Sequence, residues 1–194
     1  MAKTGERKTQ ILQTLASMLE RPASQKVTTA ALAAKLEVSE AALYRHFSGK
    51  AQMFEGLIEF IEETLFGLIN KITSEEKSGQ RQIEAMVSVL LGFAQKNRGM
   101  TRVLIGDALV HEDERLQARI NQLHDRLEAA IKQAVRFAIT QNELAAETDA
   151  AACANLVLSF VAGRWHQFAK SGFKRDPTEL WNRQWRQLLE GVAA

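Results

Sequence analysis

The sequence predicts an all-α protein of about nine helices, with a small three-helix head followed by a larger helical body. Only two prolines, Pro22 and Pro177, occur in 194 residues, and the tracts around them are rich in Ala, Leu, Glu, Gln, Lys and Arg, which are good helix formers. Patterns typical of strands are nearly absent. Apolar residues make up 46% of the chain and charged residues 25%, the balance of a globular protein with a packed core.

The first predicted helix covers about residues 6–20. Apolar side chains recur in it at helical spacing from Ile11 to Leu19, and they form one stripe along the helix. Pro22 and Ser24 follow directly. We expect them to end the helix, because proline has no backbone N–H to donate.

Two short helices joined by a tight turn are predicted next. Thr28 or Thr29 can cap the first of them and Ser39 the second, since a hydroxyl oxygen accepts a hydrogen bond from the free amides at a helix start. Ala33 lets the two backbones approach, and Val38 fills the core beneath the turn. This layout is that of a helix-turn-helix, whose second helix lies in the major groove of DNA.

Six further helices are predicted in the remaining chain. Gly79 and the run Asn97–Gly99 separate neighbouring helices, the acidic run Glu112–Glu114 suits the positive end of a helix, and Pro177 suits a first turn that Asp176 caps. The predicted ranges are about 51–72, 82–95, 101–109, 112–137, 146–170 and 177–191. The fourth helix is expected to connect the head, residues 1–49, with the body, residues 50–194.

The exposed residue types of the helix-turn-helix suit DNA. Hydroxyl, imidazole and ammonium groups can donate to phosphates, which fix the register of a protein on the duplex, and the helix start at Ser39 favours a phosphate. Glu40 can accept from a cytosine amino group, and Ala41 or Ala42 can contact a thymine methyl. Such a helix is lightly equipped for hydrogen-bonded readout, so part of the specificity is expected from DNA shape. The predicted DNA-binding residues are Thr28, Thr29, Ser39, Glu40, Ala41, Ala42, Tyr44, Arg45, His46 and Lys50.

Charge is distributed unevenly along the chain. The formal net charge is +2, yet residues 1–50 carry eight Lys or Arg against four Glu, a net of +4. A basic head on a near-neutral body fits phosphate binding. The alternative, an ordinary helical hairpin with a solvated face, is disfavoured by the run Leu-Tyr-Arg-His-Phe at Leu43–Phe47, followed by a turn and Lys50.

That run resembles the DNA-binding head of the TetR family of repressors, whose pattern is Leu-Tyr-x-His-Phe, a turn and Lys. The resemblance implies a TetR-like homodimer whose two heads bind a palindromic site on double-stranded DNA. It assigns Tyr44, His46 and Lys50 to phosphate contacts. Glu37 departs from the family, which usually has glycine in this turn. A glutamate with a left-handed backbone would cost about 1 kcal/mol.

Four segments are similar to a narrower group of that family, the nucleoid occlusion factors. They are Val38–Phe47 in the head and Leu57–Glu63, Leu90–Ala94 and Arg119–Leu123 outside it. The resemblance implies a DNA-bound antagonist of cell division that binds the C-terminal tail of the tubulin-like protein FtsZ in a groove between the fourth and fifth helices. The implied partner-binding residues are Phe60, Val89, Gly92, Lys96 and Asn97.

Several of these residues have plainer interpretations. Glycine inside a helix costs about 1 kcal/mol relative to alanine, so Gly92 would ordinarily mark close packing. Phe60 lies off the main apolar stripe of its helix and is expected to be partly exposed. Leu68 and Arg98 stand where the group has arginine and proline. The missing arginine removes a positive charge that an acidic tail would meet.

The last two helices carry more large apolar side chains than a small core requires. The resemblance implies that they form a four-helix bundle with a second copy of the chain, and burial within one subunit is the alternative. The predicted interface residues are Trp165, Phe168, Trp181, Trp185 and Leu188.

An enzyme is not predicted. No nucleophile motif, phosphate loop or paired-carboxylate motif occurs, the histidines lack metal-ligand spacing, and we expect no cofactor and no metal. The single cysteine, Cys153, excludes an internal disulfide. No leader or membrane span is recognised, so we expect a cytoplasmic, nucleoid-associated protein. The alternative function is that of a conventional TetR-type transcriptional repressor that a small-molecule ligand releases.

Overall fold

The computed structural model describes residues 4–20 and 27–193, and all regular structure in these ranges is helical. The predicted all-α class is therefore confirmed. Within the described ranges there are nine α-helices and one short 3-10 turn at Asp107–Leu109. The helices are α1 (Thr4–Leu19), α2 (Thr29–Lys35), α3 (Glu40–Tyr44), α4 (Lys50–Glu75), α5 (Gly79–Lys96), α6 (Arg98–Leu104), α7 (Glu114–Thr140), α8 (Ala150–Lys170) and α9 (Trp181–Ala193). Pro22 and Ser24, the expected end of the first helix, lie outside the described residues.

The chain divides into two compact units. The first comprises Met1–Glu62 and Asn97–Ile120, and the second comprises Glu63–Lys96 and Asn121–Ala194. The first unit thus contains the helix-turn-helix and also α6 and the start of α7, which the sequence had not associated with the head.

Close packing of α6 on α1 explains why these two segments share a unit. A Cβ atom added to Gly99 would lie 1.9 Å from the carbonyl oxygen of Ala16, so only glycine fits there. The buried guanidinium of Arg102 donates to the Leu19 carbonyl over 3.3 Å and to Asp107 over 2.6 Å. These contacts tie the C-terminal end of α1 to α6.

The last helix begins later than predicted. The Asp176 carboxylate accepts a hydrogen bond from the Thr178 amide, 2.8 Å away, and forms a turn instead of a helix start. Leu180 then has a left-handed backbone with φ of 68°, and α9 begins only at Trp181. Burial raises the pKa of Asp176, but hydrogen bonds from Thr178 and Gln95 outweigh it and leave this pKa below its ordinary value.

None of the described helices is both long enough and apolar enough to cross a bilayer.

Candidate DNA-binding surface and partner-binding residues

Both predicted helix caps of the helix-turn-helix are present. The Thr28 hydroxyl oxygen accepts a hydrogen bond from the Ala31 amide over 3.1 Å, and the Ser39 hydroxyl oxygen accepts one from the Ala42 amide over 3.3 Å. A hydroxyl that accepts one bond still has its proton to donate. Thr28 therefore keeps the chemistry that a phosphate contact requires, and so does the exposed Ser39.

The turn between α2 and α3 is left-handed at Glu37, as expected for a position where the family usually has glycine. Glu37 has φ of 56°, and the next amide, that of Val38, donates to the Ala33 carbonyl over 3.0 Å. Ala33 is buried and Val38 is half-buried, so this hydrogen bond closes the turn against the core. The turn keeps its geometry although its residue is not glycine.

Replacing Glu37 with glycine is expected to raise the free energy of unfolding by about 1 kcal/mol, because glycine adopts positive φ without a Cβ clash. Denaturant unfolding of the variant measures this. Glu37→Ala is the matched control: it removes the same charge but keeps the Cβ atom, and it should give no such gain. An equal gain over the wild type in both variants would show that the charge of Glu37, not its backbone, limits stability.

The exposed side of α3 carries the residues predicted to face DNA. Glu40, Ala41 and Arg45 are exposed, and 48% of Tyr44 is accessible to solvent. Ala42, also predicted to face DNA, is half-buried, and Leu43 is buried. The helix therefore presents one polar face and buries the opposite one.

Three of the predicted DNA-binding side chains are linked to one another, which spacing alone did not reveal. The Thr29 hydroxyl donates to a carboxylate oxygen of Glu40 over 2.7 Å, and the Tyr44 hydroxyl lies within 3.5 Å of the Thr29 hydroxyl oxygen, to which it donates. The start of α2 is thus joined to α3. Glu40 is oriented by Thr29, so these side chains form a connected surface.

His46 and Lys50 are less open than the rest. His46 is half-buried, and within the described part of the chain its buried Nδ1 atom has no hydrogen-bond partner. The Lys50 ammonium forms an ion pair with Glu112 and lies 5.6 Å from the centre of the Phe54 ring. The Lys50 side chain, predicted to meet a phosphate, is held by a carboxylate from 62 residues further along the chain.

Two residues of the acidic run before α7, Glu112 and Asp113, have different roles. Asp113 occupies the helix start as predicted, and its carboxylate accepts from the Arg115 amide and guanidinium, each over 3.0 Å. Hydrogen bonds from the Arg115 guanidinium and amide lower the pKa of Asp113 to about 2. Glu112 instead binds Lys50.

In the second unit, Gly92 lies in open space. A Cβ atom added there would meet no atom within 4 Å, so the interpretation that Gly92 marks close packing is wrong. Val89 and Lys96 share its side of α5 at helical spacing. Val89 is half-buried and Lys96 is exposed.

Polar contacts from the C-terminal helices and the loop between them anchor α5. The Trp165 indole donates to the Leu90 carbonyl over 3.1 Å, and the Trp181 indole donates to the Ser88 hydroxyl over 2.8 Å. The Gln95 amide donates to Asp176 over 2.5 Å. These bonds hold α5 against the C-terminal part of the chain.

The remaining partner-binding candidates belong to the first unit. Phe60 is 43% exposed, which confirms the expectation that it is partly accessible. Asn97 is half-buried at the start of α6. Leu68, in the second unit, stands where an arginine was expected from the resemblance, and it is 42% exposed.

The predicted dimer interface needs correction. The structure buries Trp165, Phe168, Trp181 and Trp185 within one chain, with Trp165 completely inaccessible. The indoles of Trp165 and Trp181 donate to α5, the ring of Phe168 contacts Phe173 in the loop after α8, and the rings of Trp181 and Trp185 contact each other. Leu188 is half-buried. The four aromatic side chains therefore belong to the core of one chain.

The helix order and the capped helix-turn-helix define a regulator of the TetR type. Residues 11–57 match the family model for bacterial regulatory proteins of the tetR family, and residues 77–192 match the SlmA-like model of the tetracyclin repressor-like C-terminal domain. The fold agrees with that of a TetR-family transcriptional regulator from Agrobacterium tumefaciens, with a TM-score of 0.81 at 15% identity over 99% of this chain and 100% of that one.

Curated relatives narrow the class further. The chain is 52% identical over 183 residues to nucleoid occlusion factor SlmA of Alteromonas mediterranea, covering 94% of each chain. It is 48% identical over 190 residues to the protein of the same name from a Marinomonas species, covering 98% of this chain and 96% of that one. The chain belongs to the TetR family and, within it, to the SlmA-like proteins.

Proposed function

We propose that the protein is a sequence-specific DNA-binding homodimer that acts as a nucleoid occlusion factor. It binds palindromic sites on the chromosome and antagonises FtsZ assembly near them. The near-50% identity with SlmA proteins over almost the whole chain carries this proposal, and the exposed polar face of α3 supports it.

In this proposal, residues 1–49 form the DNA-binding domain. Phosphates accept from the hydroxyls of Thr28, Ser39 and Tyr44, from His46 and from Lys50, while Arg45 adds positive charge. Thr29 acts through Glu40, because its single hydroxyl proton is donated to that carboxylate. Glu40, Ala41 and Ala42 face base edges. The bond from Thr29 to Glu40 orients the carboxylate before DNA arrives, which lowers the entropy lost on binding.

Residues 50–194 bind the partner protein and the second subunit. We assign the FtsZ tail to Val89, Gly92 and Lys96 of α5, and Phe60 and Asn97 stay the partner-binding residues that the resemblance predicts. The open space over Gly92 admits a peptide backbone, and Lys96 supplies a positive charge for an acidic tail. The exposed position of Phe60 offers an aromatic surface for an apolar residue of the tail.

The dimer surface is assigned to the exposed side of α8, together with Leu188 of α9. On α8, 48% of Leu156 is accessible, Phe160 is half-buried, and a Cβ atom added to Gly163 would meet nothing within 4 Å. These residues recur at helical spacing and form an apolar stripe, and the glycine in it lets a helix of the second subunit come close. The ring of Trp181 lies 5.7 Å from that of Phe160 and supports this stripe.

Titration of a labelled peptide with the sequence of the FtsZ C-terminal tail tests the partner assignment. We expect saturable binding, measured by anisotropy, with and without cognate DNA. No change in anisotropy at high micromolar protein in either condition would remove the FtsZ proposal. Operator release by a small molecule would then be the function to test.

Gly92→Leu is expected to weaken tail binding roughly tenfold or more, because the larger side chain fills the space that the peptide needs. The folded chain should tolerate it, since a Cβ atom meets nothing at this position. Peptide anisotropy and denaturant unfolding measure the two effects separately.

The control is Gln133→Leu, which adds a leucine at an exposed position of α7 in the same unit. It should leave tail binding unchanged. If both variants, or neither, lose the peptide, the tail does not bind at Gly92.

A further inference from the structure

The Lys50 side chain, which the proposed function assigns to a DNA phosphate, is already bound by Glu112 in an ion pair. The side chains are only 21% and 12% exposed, so each is largely covered by its surroundings. Lys50 opens α4, directly after the turn that follows the helix-turn-helix. Glu112 lies in the corner between the 3-10 turn and α7.

The pair changes the electrostatics of this part of the first unit. An ammonium joined to a carboxylate contributes almost no net charge to an approaching phosphate. A phosphate that reaches Lys50 also meets the negative charge of Glu112. The two anions require the same donor atom.

The corner that holds Glu112 does not depend on the pair. The Glu112 amide donates to the Leu109 carbonyl over 3.0 Å, and Asp113 caps α7 through Arg115. None of these bonds uses the Glu112 carboxylate. Its side chain can therefore release Lys50 while the backbone of the corner keeps its conformation.

We propose that the Glu112 carboxylate competes with a DNA phosphate for the Lys50 ammonium and thereby limits the affinity for DNA. The inference rests on the proposed DNA-binding function. In the free chain the carboxylate occupies the ammonium, and in the complex a phosphate replaces it. When a phosphate binds Lys50, Glu112 loses its ion pair. DNA binding at the head therefore changes a contact in the corner before α7.

Glu112→Gln tests the competition because it removes the charge and keeps the shape. The probe is a palindromic duplex selected in vitro with the wild-type chain, and affinity is measured over a range of salt concentrations. We expect binding to tighten about two- to fivefold per head, the range that breaking one partly exposed ion pair allows. The salt dependence should steepen by up to about one unit of log–log slope per head, because Lys50 then neutralises a phosphate with its full charge.

Two comparisons isolate the pair. Glu114→Gln removes the same charge from an exposed position two residues away, and it should change neither affinity nor slope. In a Lys50→Ala background, Glu112→Gln should also have no effect, while Lys50→Ala by itself should weaken binding to all sequences alike.

The opposite results are equally clear. Weaker binding by Glu112→Gln would show that the carboxylate positions Lys50 for the phosphate, and an effect that persists without Lys50 would show that Glu112 acts elsewhere. Either result overturns the competition while wild-type binding to DNA stands. If the selection yields no duplex that the wild-type chain binds, the DNA-binding proposal itself fails and the pair is structural only.

Discussion

Gly99→Ala is expected to lower the free energy of unfolding by about 3 kcal/mol or more, at the upper end of overpacking effects. The new Cβ atom would lie 1.9 Å from the Ala16 carbonyl oxygen and 2.8 Å from its carbon, and both are backbone atoms of a helix. Neither can rotate away as a side chain would, so α1 and α6 must separate. A protein with a typical stability of 5–15 kcal/mol would lose a large share of it.

Separation of these helices should also break the hydrogen bond from Arg102 to the Leu19 carbonyl. The guanidinium is buried and would lose a partner, which adds to the loss of stability. Because α1 and the helix-turn-helix share one compact unit, we expect DNA binding to fall together with stability.

Gly67→Ala is the matched control. Gly67 lies exposed inside α4, and a Cβ atom there would meet nothing within 4 Å. This variant should gain about 0.5–1 kcal/mol from the better helix propensity of alanine. Denaturant unfolding compares both with the wild type. A loss below 1 kcal/mol for Gly99→Ala would contradict the close packing of α6 on α1.

The second large effect is the response of DNA binding to salt. Binding that neutralises phosphates releases counterions, with a log–log slope of about −0.9 for each phosphate. If Arg45 and Lys50 of both heads each neutralise a phosphate, the slope is about −4. If Glu112 keeps Lys50 neutral, only Arg45 counts and the slope is about −2. Raising salt from about 50 to about 200 mM should then weaken binding by roughly ten- to a hundredfold.

Arg45→Gln should reduce the slope by about one per head and weaken binding to every duplex alike. Lys71→Gln, which removes a positive charge from an exposed position near the end of α4, is the control and should leave the slope unchanged. Anisotropy titrations of a labelled duplex at several salt concentrations measure both. A change of preference at one base pair in the Arg45 variant would assign this side chain to base readout instead.

The features that sequence predicted well are local. The caps at Thr28 and Ser39 depend on amides within three residues, and the left-handed backbone of Glu37 depends on the tight turn around it. The periodic apolar residues of α1 and α4 fixed the existence of these helices. Such patterns act over one or two helical turns, which a single sequence displays directly.

The features that sequence missed depend on residues far apart in the chain. Nothing near Lys50 indicates its pairing with Glu112. The start of α9 moved from Pro177 to Trp181 because Asp176 bonds to Thr178 and Gln95. The same limitation explains why the tryptophans were predicted at the dimer interface. A large apolar side chain suits a core and an interface equally, and only the packing of α5 distinguishes the two.

Gly92 shows how structure separates two interpretations that sequence leaves open. A glycine in a helix fits both close packing and an open binding surface. The empty space around its Cβ position removes the first.

A genome-wide binding map tests the central proposal most directly. The protein is cross-linked to the chromosome in growing cells, and the bound fragments are sequenced, with Arg45→Gln as the reference for reduced binding. A nucleoid occlusion factor should occupy many palindromic sites spread around the chromosome and missing near the replication terminus. A single occupied site beside the protein's own promoter would contradict the proposal and indicate a local transcriptional repressor.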